Sequence, residues 1–99
     1  MRTKIRPSSG NVFRDLGFDA EEAANLKLRA DLMLEVSKVI ETRRLTQGQA
    51  ARLFGVTQPR VSDLVRGKIE RFSVDTLVAM LGHAGVRVEL VVKRRPRVA

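Results

Sequence analysis

Four polar residues in one short predicted helix have side chains that could bind the edges of DNA bases. A Gln side chain pairs with adenine and an Arg side chain with guanine, each through two hydrogen bonds in the major groove. Gln58 and Arg60 stand near the N-terminal end of this helix, which is the end that reaches base edges when a helix enters the groove. The predicted base contacts are Gln58, Arg60, Ser62 and Asp63.

Other polar and basic residues around this helix could bind the phosphate backbone. The first amides of a helix lack partners and its dipole favours an anion, so residues at predicted helix starts are suited to phosphate. Two arginines at the end of a preceding helix could contact phosphate or only interact with the helix dipole, and the sequence leaves both roles open. The predicted phosphate contacts are Gln47, Thr57, Arg66, Lys68, Arg71, Arg43 and Arg44.

No arrangement of residues predicts catalysis or metal binding. His83 is the single histidine, and the chain has no cysteine. The acidic pairs Glu21 with Glu22 and Asp31 with Glu35 fit the roles of helix-dipole and solvated-face residues. We therefore expect no enzyme activity, no cofactor and no metal. The lack of cysteine, of a signal sequence and of a long apolar run fits a cytoplasmic protein without a membrane segment.

The charge of the chain favours a polyanionic partner. Lys and Arg number 19 against 11 Asp and Glu, which gives a net charge of +8. Positive charge can serve solubility alone, but half of this excess lies in residues 41–72, where seven cations face three anions. This segment also contains the predicted base contacts, so the distribution favours nucleic acid.

Helical patterns cover most of the chain. The first begins at the predicted N-cap Asp19 and runs to about residue 44. Thr46 precedes a short helix that ends at Gly55, and Thr57 precedes another that stops at Gly67. Ser73 starts the last predicted helix, which ends near residue 85.

The turn between the two short helices carries the residue types of a helix-turn-helix. Ala51 is small where two helices must approach closely, and Gly55 can adopt the positive φ that leaves the first helix. Val61 and Leu64 fall on the buried side of the second helix. These four residues are the predicted core of the motif, which spans Gln47 to Gly67.

The C-terminal segment 86–93 alternates apolar and polar residues, as a strand with one buried face does. A single strand needs a partner, and the simplest is the same strand of a second copy, paired antiparallel about a two-fold axis. Pairing with the NVFRD segment of the same chain is the alternative. A homodimer would read a palindromic operator. The predicted dimerisation residues are Val86, Val88, Leu90 and Val92.

The chain outside residues 19–85 and this strand is expected to be less regular. Residues 1–18 are predicted to be a flexible segment, and residues 94–99 a basic tail. The stretch NVFRDLGF holds a group of large apolar residues, which either cover the core of this domain or bind a protein partner. That group is Val12, Phe13, Leu16 and Phe18.

The stretch LTQGQAARLFGVTQPRVSDLVRGK resembles the xenobiotic-response-element (XRE) family of lambda-repressor and Cro-like helix-turn-helix proteins. The resemblance covers roughly residues 30–85, and the Ala, Gly, Val and Leu of the motif core fill the family's diagnostic positions. It implies an all-α, lambda-repressor-like bundle of about five helices. The single C-terminal β-strand is added to this bundle and is expected to pair across a homodimer.

A narrower resemblance connects the chain to antitoxins of the HigA type. It rests on RGKIERFSVDTLVAMLGHAGVRVELVV and on the NVFRDLGF stretch. It implies a sequence-specific repressor that controls its own type II toxin–antitoxin operon and neutralises a RelE- or HigB-like toxin. The alternative is a stand-alone phage-type regulator with no toxin partner.

Overall fold

The computed structural model describes residues 2–5, 13 and 16–94 of the chain. The described part contains four α-helices, one 3₁₀ turn and two short strands, and the α-helices agree with a helix-turn-helix bundle. In chain order the elements are β1 (Arg2–Ile5), α1 (Ala20–Thr42), α2 (Gln47–Phe54), α3 (Gln58–Val65), the 3₁₀ turn (Ile69–Arg71), α4 (Val74–His83) and β2 (Arg87–Leu90).

Local hydrogen bonds fix where three of the helices begin. The Asp19 carboxylate accepts from the Glu22 amide at 2.8 Å. At the start of α2, Thr46 and Gln49 form a reciprocal capping box, in which each side chain accepts from the other residue's amide. Ser73 caps α4 through the Thr76 amide. The predicted starts of these helices are therefore confirmed.

One core holds the four helices together. Helix α1 packs against α4, and α2 packs against both α3 and α4. The large side chains at the centre are almost fully shielded from solvent, so their burial contributes most of the apolar stabilisation. These side chains are Phe54, Phe72, Leu32, Leu77, Met80, Leu81, Val36 and Val61.

The partner of the C-terminal strand differs from both predicted alternatives. In the described residues, β2 pairs in parallel with β1, with Thr3 opposite Val88 and Ile5 opposite Leu90. The sequence analysis assigned residues 2–5 to a flexible segment. Their alternation of basic residues with β-branched Thr3 and Ile5 suits a strand, but four residues are too short to stand out as one. An intrachain partner thus removes the argument that β2 must pair with a second copy.

The apolar residues of the C-terminal segment do not all face the core. Val86 is buried, and Val88 packs against the core cluster. Leu90 is 52% exposed and Val92 is 88% exposed. The predicted buried face of the strand is therefore found at Val86 and Val88, but not at Leu90 and Val92 in the single chain.

The NVFRDLGF stretch is described only in part. Val12 lies outside the described residues. Phe13 and Phe18 meet edge to face with ring centres 6.2 Å apart, and the Phe18 amide donates to the Phe13 carbonyl oxygen. Phe18 and Leu16 remain exposed, so these two side chains do not cover the core.

Candidate nucleic-acid interface

The turn between α2 and α3 has the geometry that the sequence predicted. Gly55 adopts φ +70°, and the Val56 amide donates to the Ala51 carbonyl oxygen at 3.0 Å. Ala51, Val61 and Leu64 are buried. A Cβ at Gly55 would lie 3.3 Å from His83 Nε2, so the last residue of α4 packs directly over this turn. The turn therefore fixes α3 against the rest of the bundle.

The side of α3 opposite its buried residues faces solvent. At 100° per residue, Pro59, Ser62 and Arg66 fall on the side away from Val61 and Leu64. Pro59 and Arg66 are exposed, and Ser62 is half-buried. Pro59 is not among the residues that the sequence predicted to contact DNA.

The first residues of α2 and α3 lie at the same surface. Gln58, the first residue of α3, is exposed. Its Oε1 atom would be 3.8 Å from a Cβ at Gly48, in the first turn of α2. Gln47 and Thr57 are also exposed, and Thr57 makes no side-chain capping hydrogen bond. Two helix N-termini and three polar side chains thus converge where an anion would be stabilised.

Arg60 contacts the chain that follows α3. Its Nη1 atom donates to the Arg71 carbonyl oxygen at 3.0 Å, and its guanidinium carbon lies 4.7 Å from the centre of the Phe72 ring. The side chain is half-buried. A guanidinium group in this position links α3 to the start of α4, a role that the sequence analysis did not predict.

Asp63 forms ion pairs with two of the predicted phosphate contacts. Its carboxylate accepts from Arg71 Nη1 at 3.1 Å and lies 3.6 Å from Lys68 Nζ. Desolvation raises the pKa of Asp63, but the hydrogen bond and charge of Arg71, with the charge of Lys68, outweigh it and leave the pKa below its ordinary value of 3.8. The carboxylate is therefore ionised and engaged at neutral pH.

Arg29 of α1 also binds the segment that contains the 3₁₀ turn. Its Nη1 atom donates to the carbonyl oxygens of Ile69 at 3.3 Å and Phe72 at 3.5 Å. This role of Arg29 could not be predicted from the sequence, because the contact joins positions about forty residues apart and no local pattern signals it. Arg29 and Arg60 together hold the chain that carries Lys68 and Arg71.

The two arginines after α1 have different surroundings. Arg43 Nη2 donates to the Ala84 carbonyl oxygen at 3.0 Å, so its guanidinium group joins the ends of α1 and α4. Arg44 is exposed and has φ +52°. Within the described residues, the Arg44 side chain forms no hydrogen bond or ion pair, so this cation is available to phosphate, whereas Arg43 already has a partner in the domain. Arg66, at the end of α3, is likewise exposed.

Across residues 2–5, 13 and 16–94, no three His, Asp or Glu side chains lie close enough to hold a metal ion. No helix in these ranges is both long and apolar enough to cross a membrane.

The chain is similar to known helix-turn-helix proteins over most of its length. Residues 12–93 match a family model described as a helix-turn-helix domain. A solved structure, provisionally named an XRE family transcriptional regulator, is 35% identical and superposes with a TM-score of 0.70. The match covers 79% of this chain and 88% of that one. No protein with a curated description matches. With the helix-turn-helix geometry above, these likenesses show that the chain belongs to the XRE helix-turn-helix family and is a DNA-binding transcriptional regulator.

Proposed function

We propose that the chain is a sequence-specific repressor that places α3 in the major groove of its operator. The observation that carries this proposal is the convergence of the α2 and α3 N-termini at one exposed surface, where Gln58 lies beside Gly48. Phosphate at these helix ends would set the register of α3, and the side chains of α3 would then read the bases.

Within this proposal the four predicted base contacts are not equally free to act. Gln58 is exposed and Ser62 lies on the outer side of α3, so both can reach base edges directly. Arg60 and Asp63 would first have to leave their partners in the domain. We therefore assign most of the readout to Gln58 and Ser62, with Gln47, Thr57, Arg66 and Arg44 at the backbone.

Selection of binding sites from a random duplex library tests this assignment. The wild-type protein should select a common sequence, and Gln58→Ala should relax one adenine position at a cost of about 1 to 3 kcal/mol. Asn25→Ala, which removes an exposed amide from α1, is the control and should select the wild-type sequence. If Gln58→Ala also selects the unchanged sequence, Gln58 does not read a base.

Arg60→Ala gives a second test of the same surface. If Arg60 reads guanine, its loss should cost about 1 to 3 kcal/mol on the selected operator and relax one base position. If Arg60 instead holds the turn after α3, binding to operator and random duplex should weaken by the same factor. The ratio of the two affinities separates these roles.

We propose further that two copies bind a palindromic operator. The exposed Leu90 and Val92 give each copy an apolar segment that a second copy could cover. Because β1 occupies one edge of β2, a strand from a second copy would use the opposite edge. Two recognition helices about 34 Å apart would then meet successive turns of the groove.

The proposed cellular role is that of an antitoxin which represses its own operon and binds a RelE- or HigB-like toxin. The resemblance of the NVFRDLGF stretch and of residues 66–92 to HigA-type antitoxins supports it, as does the exposure of Leu16 and Phe18. A stand-alone regulator is the alternative, and a short reading frame for a RelE-like protein beside the gene would favour the antitoxin.

Coexpression with such a toxin tests this role. Deletion of residues 1–18 would also remove β1, so Leu16→Ser with Phe18→Ser is the sharper change. It should abolish rescue of growth and leave operator binding intact. Leu34→Ser, on an exposed position of α1, serves as the control for loss of apolar surface. Full rescue by the double variant would exclude this segment as the toxin contact.

A further inference from the structure

We propose that Asp63 is an internal substitute for a DNA phosphate, which occupies Lys68 and Arg71 in the free protein and thereby weakens binding to random DNA. The inference concerns the same DNA-binding surface and rests on the proposed placement of α3 in the groove. It makes Asp63 a residue that limits non-specific binding without contacting any base.

The geometry of the three side chains supports this role. Arg71 Nη1 and Lys68 Nζ lie on different oxygen atoms of the Asp63 carboxylate, at 3.1 Å and 3.6 Å. The Asp63 side chain is only 17% exposed, whereas those of Lys68 and Arg71 are 35% and 53% exposed. The carboxylate thus lies beneath two cations that remain accessible from solvent. A phosphate could reach both cations only in competition with Asp63.

Two arginines from other helices hold the segment with these cations close to the proposed DNA-binding face. Arg60 from α3 and Arg29 from α1 donate to three carbonyl oxygens between Ile69 and Phe72. The backbone that carries Lys68 and Arg71 is therefore held in place beside α3. Because these cations are held in place, the Asp63 carboxylate between them competes with the phosphates of any duplex, whatever its sequence.

The consequence is a difference between random and operator DNA. Binding to random duplex depends almost wholly on phosphate contacts, so competition for two cations removes a large share of the free energy that holds the protein there. An operator also offers base contacts to Gln58 and Ser62, which the competition does not touch. Asp63 would therefore leave an operator bound under conditions in which random DNA is released.

Glu70 provides a matched control. It stands in the same 3₁₀ turn between the two cations and is exposed. In the part of the chain that the structure describes, it forms no ion pair with either of them. Asp63→Asn and Glu70→Gln change the net charge by the same amount, but only the first releases Lys68 and Arg71.

The experiment measures binding to a labelled random-sequence duplex between 50 and 200 mM KCl. Each new phosphate contact steepens the slope of log affinity against log salt by about 0.9. With two new contacts, the ratio of the Asp63→Asn affinity to the wild-type affinity should be about tenfold larger at 50 mM than at 200 mM KCl. Glu70→Gln should keep the wild-type slope. Equal effects of the two variants, or no effect of Asp63→Asn, would overturn the proposal.

A second variant keeps the test valid if Asp63→Asn does not fold. The double variant Lys68→Gln with Arg71→Gln should make the salt slope shallower than that of the wild type by less than about 0.9, the value for one phosphate contact, because Asp63 already occupies both cations. A reduction by about two contacts would show that they bind phosphate freely and would contradict the proposal. If the wild-type protein binds no duplex at all, the proposed DNA binding is wrong. If it binds duplex with the same affinity and salt slope as Asp63→Asn, only this inference fails.

Discussion

The Arg60 guanidinium carbon lies 4.7 Å from the centre of the Phe72 ring, while the same guanidinium group donates to the Arg71 carbonyl oxygen at 3.0 Å. Arg60 belongs to α3, the second helix of the helix-turn-helix, and Phe72 is a buried residue just before α4. The pair therefore ties the second helix of the helix-turn-helix to the core of the domain. A residue type that suits base readout here performs a structural task in the free protein.

Arg60→Ala should lower the free energy of unfolding by about 1 to 2 kcal/mol, because it removes a cation–π contact and a charge-assisted hydrogen bond. Denaturant unfolding measures this change. Arg60→Lys keeps the charge but loses the planar group, so its free energy of unfolding should lie between those of Arg60→Ala and the wild type. Equal stability of Arg60→Ala and wild type would show that the contact contributes nothing.

Gly55→Ala should destabilise the domain by about 1 to 2 kcal/mol, because φ +70° strains an L-residue and the added Cβ meets His83. Gly82→Ala is the matched control. Gly82 lies within α4 and a Cβ there meets nothing within 4 Å, so this change should stabilise by up to about 1 kcal/mol. Thermal unfolding compares the two. An unchanged midpoint of thermal unfolding for Gly55→Ala would be inconsistent with the turn geometry.

The stability contributed by Asp63 should depend on pH in the acid range. Its pKa in the folded protein is below the ordinary 3.8, because the hydrogen bond and charge of Arg71 and the charge of Lys68 exceed the effect of desolvation. A lowered folded pKa means that the contribution is complete above the unfolded value and is lost as pH falls through the folded one. Midpoints of thermal unfolding for wild type and Asp63→Asn should therefore converge below the folded pKa. A constant difference down to the most acid pH would contradict the assignment.

Leu90→Asp with Val92→Asp should separate a dimer into monomers, since each change puts a charge on an exposed apolar residue of the proposed contact. Val88→Asp is less informative because Val88 packs against the core of its own chain. Light scattering gives the mass, and circular dichroism checks that the fold is kept. A folded double variant that still has the mass of a dimer would exclude this segment as the interface.

The helices and the motif core could be predicted from the sequence because their causes are local. Asp19, Thr46 and Ser73 cap helices through amides three residues ahead. Gly55 stands where only a residue tolerant of positive φ fits, and Val61 and Leu64 repeat at helical spacing. Each of these signals acts within a few positions of the chain, so the residue types alone specify it.

Tertiary structure decided which polar side chains remain free for a ligand. Arg60, Asp63 and Arg43 have the residue types of DNA contacts, yet each binds a group elsewhere in the domain. The pairing of β2 with Arg2–Ile5 joins segments at opposite ends of the sequence. Such partners meet only when the helices pack, because contacts over eight to more than eighty positions depend on the whole fold. The sequence thus determined the scaffold and the candidate residues, and packing determined which of them the free protein already uses.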